Sequence, residues 1–193
     1  MSQAKTLTDT EYAKLFAYVE NRKFALRNKL ILLTGFKTGL RASELAAIRL
    51  GQILNADRKV NTEFKLSADQ TKGHYPRTIY LPDSLREELQ RYIDLRGDYD
   101  PTHPIFVTAG GRAFTAAVMT QHLYWLFRKA GIDGASSHTL RRQFITKLAS
   151  KGIGIKILAT MAGHRSIQVT AKYIDTVFTM CTQDHPRAQD GRQ

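Results

Sequence analysis

The sequence predicts a mainly α-helical domain interrupted by a small antiparallel β-sheet. Three observations carry that expectation. Apolar residues recur at helical spacing, as in Tyr12, Leu15, Phe16 and Val19. Helix start and stop signals bracket these runs, among them Thr8-x-x-Glu11 and Gly39. Between Gln52 and Leu81 the pattern changes to short β-rich runs broken by Lys-Gly and Pro. At 193 residues the chain is long enough to bury a real core as one domain.

The elements follow in order. Thr8 and Glu11 form a capping box that opens a first helix reaching about Arg22. "KFALRNKLILLTGFKTG" reads as a largely buried second helix stopped by Gly39, and "SELAAIRL" as a short third with Arg41 at its entrance. The β-rich stretch follows, with "TKGHYP" as the loop between two strands. "DSLREELQRYIDLRG" is helical again, with Asp83 or Ser84 as its cap. After the irregular "PTHPIFVTAGGRAFT" comes the helix "AAVMTQHLYWLFRKAG", in which Tyr124 and Trp125 read as core. The helices "HTLRRQFITKLASKG", "IKILATMAG" and "SIQVTAKYIDTVF" close the fold, and the last residues are polar.

Composition narrows the function. Hydrophobic content of 42% with 24% charged residues fits a globular protein. The charge is unbalanced: 29 Lys and Arg against 17 Asp and Glu give a formal net charge of +12, which points to a polyanion, nucleic acid first and an anionic membrane second. No apolar run reaches the length of about 18 residues that spans a bilayer, and the N-terminus lacks the apolar core of a signal peptide. A single cysteine, Cys181, excludes an intramolecular disulfide and a cysteine-cluster metal site, so a reducing cytoplasm is the default. His74, His103, His122 and His185 lack metal-ligand spacing and are assigned to surface or packing.

Four pieces carry chemistry: "TGLRASEL" with Arg41, "TKGHYPR" with Lys72, "HTLRR" with His138 and Arg141, and "GHRS" followed by "KYI" with His164 and Tyr173. His138 and Arg141, three apart at a helix start, share a face. Positive charge there is mildly unfavourable unless an anion sits between them, and a phosphodiester suits both guanidinium forks and helix-terminal N–H groups. Two arginines can hold both non-bridging oxygens of a pentacoordinate phosphorus, which lysine does less well. Each residue also has a plainer reading. Arg41 fits a helix-end charge, Lys72 a solvated loop, Arg141 a salt bridge, His164 a helix C-terminal signal and Tyr173 a core position. Lys65 and Arg77 are rivals to Lys72 on the same insert. Glu44 reads as a partner for a nearby cation that orients the Arg41 segment.

In this order and spacing, an Arg in "GLRASEL", H-x-x-R, then Gly-His and a Tyr nine residues after that His, the chain resembles the tyrosine recombinase (phage integrase) family from about Thr8 to Val177. The resemblance implies a site-specific recombinase with Arg41, Lys72, His138, Arg141, His164 and Tyr173 as catalytic residues. Tyr173 is the nucleophile, a phenol of pKa about 10 that needs a base or a positive pocket. Lys72 acts as general acid toward the leaving 5′-oxygen, and a 3′-phosphotyrosine bond keeps the energy for religation. No metal or other cofactor is expected, since the motifs hold no paired carboxylates for magnesium and the cations would replace it. DNA contacts are expected from Arg41, Lys72, Arg77, Arg141, Arg142 and Arg165. The implied partners are double-stranded DNA and further copies of the chain, as a tetramer on DNA, with room for an accessory DNA-bending protein and no membrane. The implied location is the cytoplasm, at the nucleoid. Residues 1–177 read as the catalytic domain and 178–193 as a polar tail that docks on a neighbouring protomer; no N-terminal core-binding domain is expected. Two other functions fit the same fold: a non-catalytic DNA-binding regulator or accessory protein, and a relaxase resembling type IB topoisomerases.

Overall fold

The computed structural model of the chain describes residues 4–71 and 75–174. Lys72 and His74 in the β-loop, and the tail with Cys181 and His185, lie outside the described residues. The architecture is mainly helical with one two-stranded antiparallel sheet, as the sequence pattern predicts.

Helix α1 (Asp9–Glu20) opens on the expected box: the Thr8 hydroxyl accepts from the Glu11 N–H while the Glu11 carboxylate accepts from the Thr8 N–H. Helix α2 (Ala25–Thr38) is the centre of the molecule, buried on nearly every face and ended by Gly39 in the left-handed region. Helix α3 (Ala42–Ala47) ends two residues before Arg49, and a single turn, α4 (Leu50–Ile53), follows. The expected continuous helix over "SELAAIRL" is therefore broken. The cause is tertiary: the Ile48 carbonyl accepts from the Ile105 N–H at 3.0 Å and the Leu50 N–H donates to the His103 carbonyl at 2.9 Å, so Ile48 takes an extended conformation.

Strands β1 (Glu63–Leu66) and β2 (Arg77–Tyr80) pair antiparallel, with Phe64 opposite Ile79 on the buried face and Glu63 and Lys65 exposed. Helix α5 (Asp83–Arg96) is capped by Pro82, which corrects the assignment to Asp83 or Ser84. Both of those residues lie inside the first turn and use their side chains elsewhere. The Asp83 carboxylate takes Arg86 at 2.8 Å, and the Ser84 hydroxyl accepts from Lys37 at 2.6 Å.

Helix α6 (Ala116–Lys129) turns Met119, Leu123, Leu126 and Phe127 inward. Tyr124 and Trp125 fall on the opposite phase and are exposed at 42% and 47%, a correction to their reading as core. Their bulk suggested burial, whereas the helical phase set by Met119, Leu123, Leu126 and Phe127 decides it. Helix α7 (Ser137–Ser150) is capped by Ser136, α8 (Ile155–Ala162) ends at Gly163 in the left-handed region, and a ninth helix, α9, runs from 167 to the last described residue, 174.

The approach of α7 to α2 sets the geometry of everything that follows. Gly35 and Gly39, one turn apart on α2, face Leu140 and Phe144; a Cβ on either glycine would overlap those side chains. Gly39 also has φ +66, where an L-residue is strained. Gly39→Ala should therefore cost roughly 2–4 kcal/mol from left-handed strain plus overpacking. Urea unfolding at pH 7 measures it, as a lower midpoint with an unchanged m-value.

Candidate active site

Arg41 ends the link from Gly39 and stands at the N-cap of α3. Its N–H donates to Glu44 Oε2 at 2.7 Å and its guanidinium to Glu44 Oε1 at 2.9 Å. Arg77, at the start of β2, approaches the same carboxylate as a two-pronged fork, at 3.0 and 2.8 Å. Glu44 is fully buried, at 0% exposure. Burial alone would raise its pKa, but Arg77, the Arg41 N–H and the charges of Arg41 and Arg141 outweigh it and hold the carboxyl below its ordinary value. The pairing expected of Glu44 is thus present, with two arginines rather than one.

Arg141 reaches the same place from α7. It is 2% exposed and bridges two helix ends, donating to the Gly39 carbonyl beyond α2 at 2.9 Å and to the Ala162 carbonyl at the end of α8. A cation suits both positions, where carbonyls lack helical partners and the helix dipole is negative. Burial and the Arg41 charge push its pKa down to about 9, so it remains a cation at neutral pH.

His164 follows the left-handed Gly163, and its N–H closes the end of α8 on the Ala159 carbonyl at 2.9 Å. The plainer reading of Gly-His as a helix terminator therefore holds together with a place in the site. Gly163 is required twice: by its φ of +63, and because a Cβ there would run into the Arg77 guanidinium. The His164 ring is fixed by a 2.8 Å hydrogen bond between Nδ1 and the buried Thr170 hydroxyl. Burial, then Arg141, Arg41 and Arg77, push its pKa down to about 4, so the imidazole is neutral at pH 7.

The Tyr173 ring lies parallel to that of His164, with centroids 5.7 Å apart and planes 9° from parallel. It also packs against the small apolar cluster of Phe144, Ile145 and Ala162, so its core reading and its place beside His164 coexist. Arg41, Arg77, His164 and Arg165 line a pocket of about 530 Å³, closed by Thr71, Tyr75, Pro76, Thr160 and Gly163. Two of these guanidiniums, Arg41 and Arg77, bond the Glu44 carboxylate, which also feels the charge of Arg141. A larger groove of about 820 Å³ along α5 mixes Lys59, Arg86 and Arg91 with Asp83, Glu87 and Asp94, so no single sign of charge converges there.

The remaining expected residues fall elsewhere. His138 is exposed on the first turn of α7 while Arg141 is turned inward, so the shared face expected of them is split by depth. Arg142 is also turned inward, at 4% exposure, with its guanidinium on the Ala4 carbonyl at 2.6 Å. Arg165 lies exposed on the pocket rim, over the Tyr75 ring at 4.7 Å. Lys72 lies outside the described residues. Sequence reasoning missed Thr170, and it took Arg77 for a DNA contact without its pairing to Glu44; nothing in "QVTAKYI" or "YPRTI" marks either role.

Comparison with known proteins gives the family and the fold. The model described as the phage integrase family matches residues 5–179. The chain is 31% identical over 186 residues to the tyrosine recombinase XerA of Pyrococcus furiosus, covering 94% of this chain and 59% of that protein. It is 28% identical over 178 residues to the tyrosine recombinase XerC of Pelobacter propionicus, covering 88% and 56%. The chain thus spans under two thirds of the length of these relatives. A crystal structure of XerA recombinase shares the fold with a TM-score of 0.75 at 23% identity, over 97% of this chain and 67% of that one. XerH bound to a palindromic difH substrate, a post-cleavage complex, matches with a TM-score of 0.70 at 20% identity, over 95% and 53%.

Two predictions follow from the charge arrangement. Glu44→Gln leaves Arg77 buried without a carboxylate and should cost roughly 3–5 kcal/mol at pH 7. The lowered carboxyl pKa stabilises the fold above the ordinary value of 4.5 and is lost as pH falls below it. The gap between wild type and variant in urea unfolding should therefore narrow below that pH. His164, and likewise His122 beneath Arg27, each titrate near 4 in the fold against 6.5 when unfolded. The unfolded chain then binds more protons between those values, so stability should fall as pH drops from 6.5 to 4, with a shallower slope in His164→Gln. An unchanged slope would place the His164 pKa elsewhere.

Proposed function

The chain belongs to the phage integrase family, and on that premise we propose that it cleaves and rejoins double-stranded DNA as a site-specific tyrosine recombinase, through Tyr173. The observation that carries this reading is the convergence of Arg41 and Arg77 on one buried carboxylate that also feels the charge of Arg141, with His164 at the pocket and the Tyr173 ring stacked on that of His164.

A phosphodiester in the pocket meets guanidinium groups already fixed in place, so little reorganisation is needed as the phosphorus becomes pentacoordinate and gains negative charge. The Tyr173 oxygen attacks phosphorus, its proton passing to a neighbouring acceptor. Neutral His164 is available for that proton, with its ring orientation set by Thr170. The bond to the 5′-oxygen breaks, the leaving oxygen takes a proton, and a 3′-phosphotyrosine remains. The reverse path, with a different 5′-hydroxyl, rejoins the strands. Lys72 is proposed as the leaving-group acid on the strength of the family resemblance. His138, on the exposed first turn of α7, is proposed to approach the bound phosphate from outside the pocket.

Arg41 and Arg165 are proposed as DNA contacts, at the mouth and rim of the pocket. Arg77 meets DNA only inside the pocket, and Arg142 leaves the set because it is turned inward. The net charge of +12 supports a polyanionic partner. Related structures support duplex DNA as that partner: XerH is described bound to a difH substrate, and a lambda integrase dimer bound to a core site. Assembly of several copies on DNA, an accessory DNA-bending protein and a place at the nucleoid complete the proposal. Among the described residues no helix is long and apolar enough to cross a membrane.

Tyr173→Phe should fold and bind DNA but give no SDS-resistant adduct on a nicked suicide substrate; an adduct in this variant moves the nucleophile to another tyrosine. Arg141→Ala should slow cleavage on the order of 10²–10³-fold with a much smaller loss of affinity. DNA binding by wild type without any adduct favours the regulator, and supercoil relaxation without site preference favours the relaxase.

A further inference from the structure

Arg142 is a buried cation that the proposed chemistry does not use. It is 4% exposed, and no carboxylate among the described residues pairs with it. Its Nη1 donates to the Ala4 carbonyl at 2.6 Å, and its Nε has no hydrogen-bond partner. Its guanidinium carbon stands 6.0 Å from the Tyr173 ring centroid, at the outer reach of a cation–π contact. A buried charge with one carbonyl and one aromatic face has few alternatives to those contacts, since losing either leaves the cation desolvated and unpaired.

The Ala4 carbonyl is itself held. Residues 4–7 lie across α7 as a strap: the Leu7 N–H donates to Gln143 Oε1 at 2.8 Å, Gln143 Nε2 donates back to the Leu7 carbonyl at 3.3 Å, and the Leu7 side chain is buried in the main core. Consecutive residues of α7 therefore grip the strap in two ways. Gln143 binds its backbone at Leu7, and Arg142 reaches from Ala4 toward the ring of Tyr173 on α9.

We infer that Arg142 is a positioning residue that couples the strap of residues 4–7 to the Tyr173 ring, so that displacing the strap from α7 resets the nucleophile. The inference rests on Tyr173 being the nucleophile for its catalytic consequence, though not for the coupling itself. The ring has two planar groups near it, His164 at 5.7 Å and Arg142 at 6.0 Å. Arg142 is the only one of the two whose other end is fixed by the strap.

The test uses the full chain labelled with 3-fluorotyrosine, the Tyr173 resonance being assigned by its disappearance in Tyr173→Phe. Gln143→Ala loosens the strap without touching Arg142, Arg142→Gln removes the cation, and Arg142→Lys keeps it. The Tyr173 fluorine resonance should move in Gln143→Ala and in Arg142→Gln, and move less in Arg142→Lys. Suicide-substrate cleavage should fall roughly tenfold to a hundredfold in Gln143→Ala and Arg142→Gln, as expected for a misplaced nucleophile, while DNA affinity changes by no more than about twofold. A lower melting temperature with an unmoved Tyr173 resonance makes Arg142 a structural residue and overturns the inference. Unchanged cleavage in both variants does the same. Should Arg142→Gln fail to fold, Gln143→Ala decides alone. Should wild type form no adduct at all, the recombinase reading fails while the resonance still decides the coupling.

Discussion

The site depends on one buried carboxylate. Glu44 accepts four hydrogen bonds, two from Arg41 and two from Arg77, and its charge also faces Arg141. Without it, Arg77 would be left buried with no carboxylate and Arg41 would lose two hydrogen bonds, which is costly to the fold. With it, Arg41 and Arg77 are bonded to a single anion whose charge also acts on Arg141, and the nearby His164 has its pKa pushed down by burial first and then by these cations.

Arg141 supplies the other half of the construction, and it does so through helix termini. Helices α2 and α8 both end in a left-handed glycine, Gly39 and Gly163, and in each case a site residue follows within two positions, Arg41 in one and His164 in the other. Arg141 donates to a carbonyl at each of these ends. Two separate stretches of sequence are thereby fastened to one guanidinium at points where the backbone itself carries negative character. The short, conformationally defined distance from glycine to side chain then fixes where Arg41 and His164 stand. Gly35 and Gly39 matter because they let α7 come close enough for Arg141 to make this bridge.

This explains which parts were legible in the sequence. The Thr8–Glu11 box, the glycine stops and the change of pattern at the hairpin are local signals, and the fold follows them. The order of Arg41, His138–Arg141, His164 and Tyr173 was legible as a family resemblance. What failed depended on partners distant in the chain. "SELAAIRL" is a good helix that Ile105 and His103 interrupt by pairing with its backbone. Arg77 reads only as a DNA contact until Glu44 and the missing Cβ of Gly163 are brought to it. Arg141 and Arg142 are adjacent arginines with the same chemistry, and only the phase of α7 against α2, α8 and the strap separates their roles. Tyr124 and Trp125 were readable in retrospect, since the spacing of Met119, Leu123, Leu126 and Phe127 already assigns them outward.

The stack of His164 on Tyr173 ties proton chemistry to the same charge balance. Burial, and then the charges of Arg141, Arg41 and Arg77, push the His164 pKa down to about 4 and make it a poor home for a proton. An anion bound in the pocket beside Arg41 and Arg77 would oppose the cationic part of that shift, leaving burial as the remaining cause. Proton affinity at His164 and anion occupancy of the pocket are therefore linked, and by reciprocity each favours the other. On the proposed chemistry this linkage has a direction. The imidazole becomes a better acceptor for the Tyr173 proton when a phosphodiester is in place. The feature that makes this possible is the lowered proton affinity of His164, to which burial contributes most and the charges of Arg141, Arg41 and Arg77 add.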